Sequence, residues 1–132
     1  MRYLGIDYGT KKIGLALSDE AGTMGFPHGI VGNDSRTLDE VVALITKERV
    51  EAIVMGESMG LTGAENPVAK AAKQFAAQLI EETGVPVYFE PEMYTTQEAR
   101  RDFEGVHSHK GGNVDASAAA LILTGYLSRT HA

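Results

Sequence analysis

Asp7 closes the apolar run Tyr3-Leu4-Gly5-Ile6 and is followed at once by Tyr8, Gly9 and Thr10. A carboxylate at a strand end beside glycine can hold Mg2+ against a phosphate, because backbone without a β-carbon leaves room for substrate. The same carboxylate can instead accept hydrogen bonds from turn amides and nothing more. The choice depends on whether other acids converge on Asp7. Three candidates do so by position: Glu57 after the run Ala52–Met55, Glu92 after Val87–Phe89, and Asp115 at the head of Asp115–Leu127. Asp115 precedes Ala119 by four residues and Ile122 by seven, which puts it on the helix face expected to be buried. An unpaired carboxylate facing a core is costly, so Asp115 reads as an N-terminal cap, a metal ligand at the core's rim, or both.

The elements that must position these acids follow from periodicity and punctuation. Leu4 and Ile6 alternate with Tyr3 and Gly5, and Ile13, Leu15 and Leu17 with Gly14, Ala16 and Ser18, so residues 3 to 18 predict a hairpin turning near Gly9. Phe26 to Val31 predicts a third strand. Thr37 and Glu40 have capping-box spacing before a helix ending near Arg49, and Ala52–Met55 is a short strand. Asn66-Pro67 starts a helix that Gly84 stops, with Val68, Ala71, Ala72, Phe75 and Leu79 as its buried stripe. Val87–Phe89 is a fifth strand, and Thr95 with Glu98 forms a second possible capping box. In the last helix Ala118, Ala119, Ile122, Leu123 and Tyr126 face the core. The order β-β-β-α-β-α-β-α-α describes an α/β fold. Its first three strands are antiparallel, and crossover helices make strands four and five parallel to strand one. The strand ends bearing Asp7, Glu57 and Glu92 then share one edge, where open α/β sheets bind ligands.

The chain has 132 residues, 43% of them hydrophobic, which suits one domain spanning 1–132 with an adequate core. With no cysteine, any metal must be held by oxygen or imidazole. No run approaches the roughly 20 apolar residues of a membrane span, and no export leader is legible, so the expectation is a soluble cytoplasmic protein without membrane contact. A net charge of −6 argues against a protein that coats nucleic acid nonspecifically but leaves room for a local basic rim. Lys11, Lys12, Arg100 and Lys110 are placed to form such a rim around an acidic centre, or else are ordinary solvated surface. His107 and His109 share a glycine-containing loop and read as exposed or substrate-touching more readily than as a zinc site.

The segments GIDYGTKKIGLALSD, TTQEA and VDASAAALILTGYL together resemble the YqgF family of RNase H-like proteins, known as Holliday junction resolvases and pre-16S ribosomal RNA nucleases. The likeness runs nearly end to end. It implies a single RNase H-like domain with a five-stranded mixed sheet and helices on both faces. It also implies phosphodiester hydrolysis with two Mg2+ or Mn2+ ions, Asp7, Asp115 and Glu92 corresponding to family acids. Two such ions would activate a water and stabilise the leaving oxygen. The chain departs from the family pattern twice. Pro91-Glu92-Met93 stands in place of Asp-Glu-Arg, and Gly56-Glu57-Ser58 in place of Gly-Leu-Pro, which makes Glu57 a candidate to supplement or replace Glu92.

Three functions compete on this reading. One is a metal-dependent nuclease on structured nucleic acid, processing the 5′ end of pre-16S RNA or resolving DNA junctions. Junction resolution calls for a homodimer making paired cuts, whereas trimming an RNA end needs only a monomer. The second is a sugar kinase or actin-like ATPase, which shares the Gly-Ile-Asp-x-Gly-Thr opening but needs a second domain for which 132 residues leave no room. The third is a ribosome-associated RNA-binding factor that cuts weakly.

Overall fold

The structure, a computed structural model, describes residues 1–57, 67–91 and 111–130. In chain order the elements are β1 (Arg2–Tyr8), β2 (Lys12–Ser18), β3 (Gly25–Gly32), α1 (Thr37–Glu48), β4 (Val50–Glu57), α2 (Pro67–Thr83), β5 (Val87–Pro91) and α3 (Gly111–Thr130). The strands form one sheet in the order β3-β2-β1-β4-β5. Short turns make β1, β2 and β3 successively antiparallel, while the α1 and α2 crossovers lay β4 parallel to β1 and β5 parallel to β4. Strands β1, β3, β4 and β5 therefore end at one edge. This is the predicted mixed α/β sheet, with each strand a residue or more longer than its apolar run.

Strand alternation divides the core in two. Leu4, Ile6, Ile53 and Met55 face one side, buried with Val41 and Ile45 of α1 and Phe75 and Leu79 of α2. Each such side chain contributes roughly 1.5–3 kcal/mol by leaving water. On the other side Ala16 and Val54 pack under Ala119, Ile122, Leu123 and Leu127 of α3. Gly5 makes that second packing possible, since a β-carbon there would lie 2.9 Å from Leu123 Cβ and 3.0 Å from the Ala119 carbonyl oxygen.

Three helix expectations are corrected. Helix α1 starts at Thr37, but Arg36 occupies the cap position with no side-chain cap hydrogen bond. The buried Thr37 hydroxyl instead donates to the Gly32 carbonyl (2.5 Å) and accepts the Asp34 N–H (2.8 Å), satisfying the exit of β3. The stripe on α2 centres on Ala69, Ala72, Phe75, Ala76 and Leu79, rotated from the expected Val68 and Ala71 toward the alanines that permit close approach. Gly84 does stop α2, in the left-handed conformation with φ 74°, its N–H bonded to the Ile80 carbonyl. Helix α3 begins at Gly111, so Asp115 lies inside it rather than at its cap. The capping box at Thr95 and Glu98, and the loop with His107 and His109, lie outside the described residues.

Candidate metal and nucleic-acid site

Asp7 sits one residue before the end of β1, paired with Gly14 of β2. The β1–β4 register matches Gly5 with Val54 and Ile6 with Met55, so its next step sets Asp7 beside Gly56. A glycine therefore flanks Asp7 on each neighbouring strand, setting the half-buried residue in a lane of glycines across the sheet. By alternation Asp7 shares the strand face of Gly5, the face that α3 covers.

Helix α3 runs opposite to β1. Ala119 and Leu123 lie against Gly5, and farther along the helix Tyr126 meets Tyr3, with ring centroids 6.3 Å apart. Stepping back four residues from Ala119 to Asp115 moves about 6 Å along the helix. Stepping forward from Gly5 to Asp7 moves about 7 Å along the strand. The two backbone positions are thereby brought to the same level of the sheet. This juxtaposition depends on the close approach at Gly5.

Glu57 is the last residue of β4, in register with Pro91 of β5. Position 57 falls on the β4 face of Ile53 and Met55, opposite to the face that Asp7 shares with Gly5. Glu92, Arg100 and Lys110 lie outside the described residues. Lys11, in the turn between β1 and β2, and Lys12, the first residue of β2, are exposed beside the Asp7 end of the sheet. His28, on the edge strand β3, is exposed. Among the described residues no three His, Asp or Glu side chains already form a metal cage.

Two features of the site were not foreseen. Glu90 is in register with Gly56, so it lies on the α3 face one strand beyond the glycine lane. It is only 9% exposed and is ion-paired with Arg129 of α3. Its sequence signal was the alternation Tyr88–Glu90 on the strand. Beside it Tyr88 stacks on Tyr126 with centroids 5.8 Å apart, and burial, with Tyr3 and Tyr88 nearby, raises the Tyr126 hydroxyl pKa. The second feature is Asn33, whose amide donates to the Gly9 carbonyl (2.8 Å) while its backbone N–H donates to the Lys11 carbonyl (2.9 Å). Asn33 thus pins the turn that follows Asp7.

Carboxylate oxygens beside glycines, in a chain without cysteine, fit a hard divalent cation. No helix among the described residues is long and apolar enough to cross a membrane.

Comparison with known proteins agrees with this architecture. The family model described as RuvX, Holliday junction resolvase, matches residues 1–129. A protein of Anaeromyxobacter sp. (strain Fw109-5) named "Putative pre-16S rRNA nuclease" is 38% identical over the whole of both chains. One of the same name from Anaplasma marginale (strain St. Maries) is 38% identical over 92% of this chain and 81% of its own. Among solved structures, Thermus thermophilus RuvC in complex with a Holliday junction substrate superposes with a TM-score of 0.64 at 20% identity, covering 99% of this chain and 96% of that one. The Fowlpox virus resolvase in its complex with junction DNA gives 0.63 at 12% identity, covering 98% and 99%. These two likenesses establish the RNase H-like fold. The chain belongs to the RuvX (YqgF) family of RNase H-like nucleases.

Proposed function

We propose that this protein is a divalent-metal-dependent nuclease that hydrolyses phosphodiester bonds in structured RNA, trimming the 5′ end of the precursor of 16S ribosomal RNA in the cytoplasm. The observation that carries the reading is Asp7 in its glycine lane, level with Asp115 on α3. Asp7 would be shared by two Mg2+ or Mn2+ ions, with Asp115 completing one side and Glu92 the other. Glu57 is the reserve ligand, because its position alternates onto the opposite strand face. When bound, the ions would supply Lewis-acid activation of water and charge stabilisation at the phosphate. The chain's own residues orient the substrate: Lys11 and Lys12 attract the phosphates, and the absence of β-carbons at Gly14 and Gly56 lets the backbone of the nucleic acid approach Asp7.

Whole-length relatives named for pre-16S RNA favour the RNA substrate, and the shared fold with RuvC keeps a DNA junction as the second reading. One cleavage assay separates them. The wild type and Asp7→Asn are compared, with Mg2+ and with chelator, on a 5′-extended 16S precursor and on a four-way DNA junction. RNA cleavage that needs both Asp7 and Mg2+ is the expected result. Junction cleavage alone would support the resolvase. Identical behaviour of wild type and Asp7→Asn on both substrates would leave only an RNA-binding role.

A further inference from the structure

Strand β3 runs parallel to β1, so its exit loop lands at the edge that carries Asp7. That loop is built tightly. Thr37 bonds Gly32 and Asp34, the Arg36 N–H donates to Asp34 Oδ1 (2.8 Å), and Asn33 makes its two hydrogen bonds to the turn after Asp7. Residues 32 to 37 and the Gly9–Lys11 turn therefore hold a fixed relation to each other. Within this corner Arg36 is exposed, and among the described residues the side chains of Arg36, Lys11 and Lys12 form no salt bridge.

Local helix chemistry does not account for Arg36. It stands where Ser, Thr, Asp or Asn is ordinarily found and makes no cap hydrogen bond. Its charge also has the wrong sign for the start of a helix. The neighbouring acids do not account for it either: one Asp34 oxygen is taken by the Arg36 backbone N–H, and Asp39 and Glu40 lie in the first turn of α1.

We infer that Arg36 is a third phosphate-contacting cation, acting with Lys11 and Lys12 to guide one strand of nucleic acid into the Asp7 site. The inference rests on the nuclease reading above. Strands β3 and β1 are two spacings apart, roughly 10 Å. That span is wider than one phosphate group, and Arg36 stands beyond the exit of β3. Arg36 therefore contacts a flanking phosphate, not the one being cleaved, and reads no base.

The test uses the full chain carrying Asp7→Asn, with Mg2+, so that binding is measured without cleavage. Fluorescence anisotropy follows a labelled single-stranded RNA and a labelled RNA hairpin across a salt series. Adding Arg36→Gln lowers the slope of log K against log salt by about 0.7 on the single strand and about 0.9 on the duplex stem, because one phosphate fewer is neutralised. Arg36→Lys keeps the slope. Lys47→Gln, at the other end of the same helix, leaves it unchanged. Parent binding with the same slope in Arg36→Gln overturns the role of Arg36 alone, as does loss of slope in Arg36→Lys. No binding of either probe by the parent overturns the RNA-substrate reading, and this inference with it.

Discussion

Gly5 of β1 and Leu123 of α3 approach so closely that a β-carbon on Gly5 would lie 2.9 Å from Leu123 Cβ. The neighbouring obstacle is the Ala119 carbonyl oxygen at 3.0 Å, which is backbone and cannot swing aside. Gly5→Ala must therefore push α3 away from β1 and carry Asp115 out of level with Asp7. The expected cost is about 1–3 kcal/mol of stability, as for other overpacked cores. Cleavage should fall further than the population of folded protein does. Urea melts paired with rates on folded protein check this; a fully active Gly5→Ala would show that the helix position is not what aligns the acids.

Asp7→Asn should abolish metal-dependent stabilisation. In the wild type, Mg2+ at a hundred times its dissociation constant raises stability by about 2.7 kcal/mol if it binds only the folded chain. Thermal melts with and without Mg2+ should separate for the wild type and coincide for the variant. Loss of a direct ligand should lower cleavage by at least the roughly 100-fold at the upper end for an indirect one. Equal metal-induced shifts in both proteins would remove Asp7 from the site.

Asn33 holds the Gly9 and Lys11 carbonyls at 2.8 and 2.9 Å, one with its side chain. Asn33→Ala removes that side-chain bond at a cost of about 1 kcal/mol. Because the released turn carries Lys11, substrate affinity should weaken while metal affinity changes little. Calorimetric titration of metal, set beside KM for cleavage, distinguishes the two effects.

Glu90 and Arg129 join β5 to the last turns of α3. The carboxylate side chain is 12% exposed and the guanidinium 62%, so solvent screens the pair from one side. Their coupling in a double-mutant cycle of Glu90→Gln and Arg129→Gln should be about 1 kcal/mol. A coupling near zero would mean that apolar packing alone anchors this end of α3.

Asp19 makes the β2–β3 connection sensitive to acid. The Thr23 hydroxyl, then the Thr23 N–H, with a further contribution from the Met24 N–H, hold its carboxylate at a pKa of about 2, against an ordinary 3.8. A depressed folded pKa gives stability that is complete above the unfolded value and is lost as pH falls through the folded one. The window is thus about pH 4 down to 2. Asp19→Asn should be less stable at neutral pH and should show a flatter decline across that window in urea titrations.

Much of the sheet was legible because apolar alternation has a period of two and the turns carry glycine, as in Ile13–Leu17 and at Gly9. Helix ends were less so. Thr37 has capping-box spacing, yet its hydroxyl serves the β3 exit, a partner that exists only after the chain folds back. Glu90 was missed because one acid in a short strand carries no local sign of the arginine, 39 residues later, that it meets.

Carboxylate chemistry, the order of strands and helices, and the family are written in residue types and local spacing, so the amino-acid order suffices for them. Which positions share a face is settled only when the chain folds. Register and the antiparallel course of α3 over Gly5 set Asp7 level with Asp115, put position 57 on the opposite face, and clamped Asn33 to the turn after Asp7. Those relations follow from pairing and packing between distant segments, which no local pattern encodes.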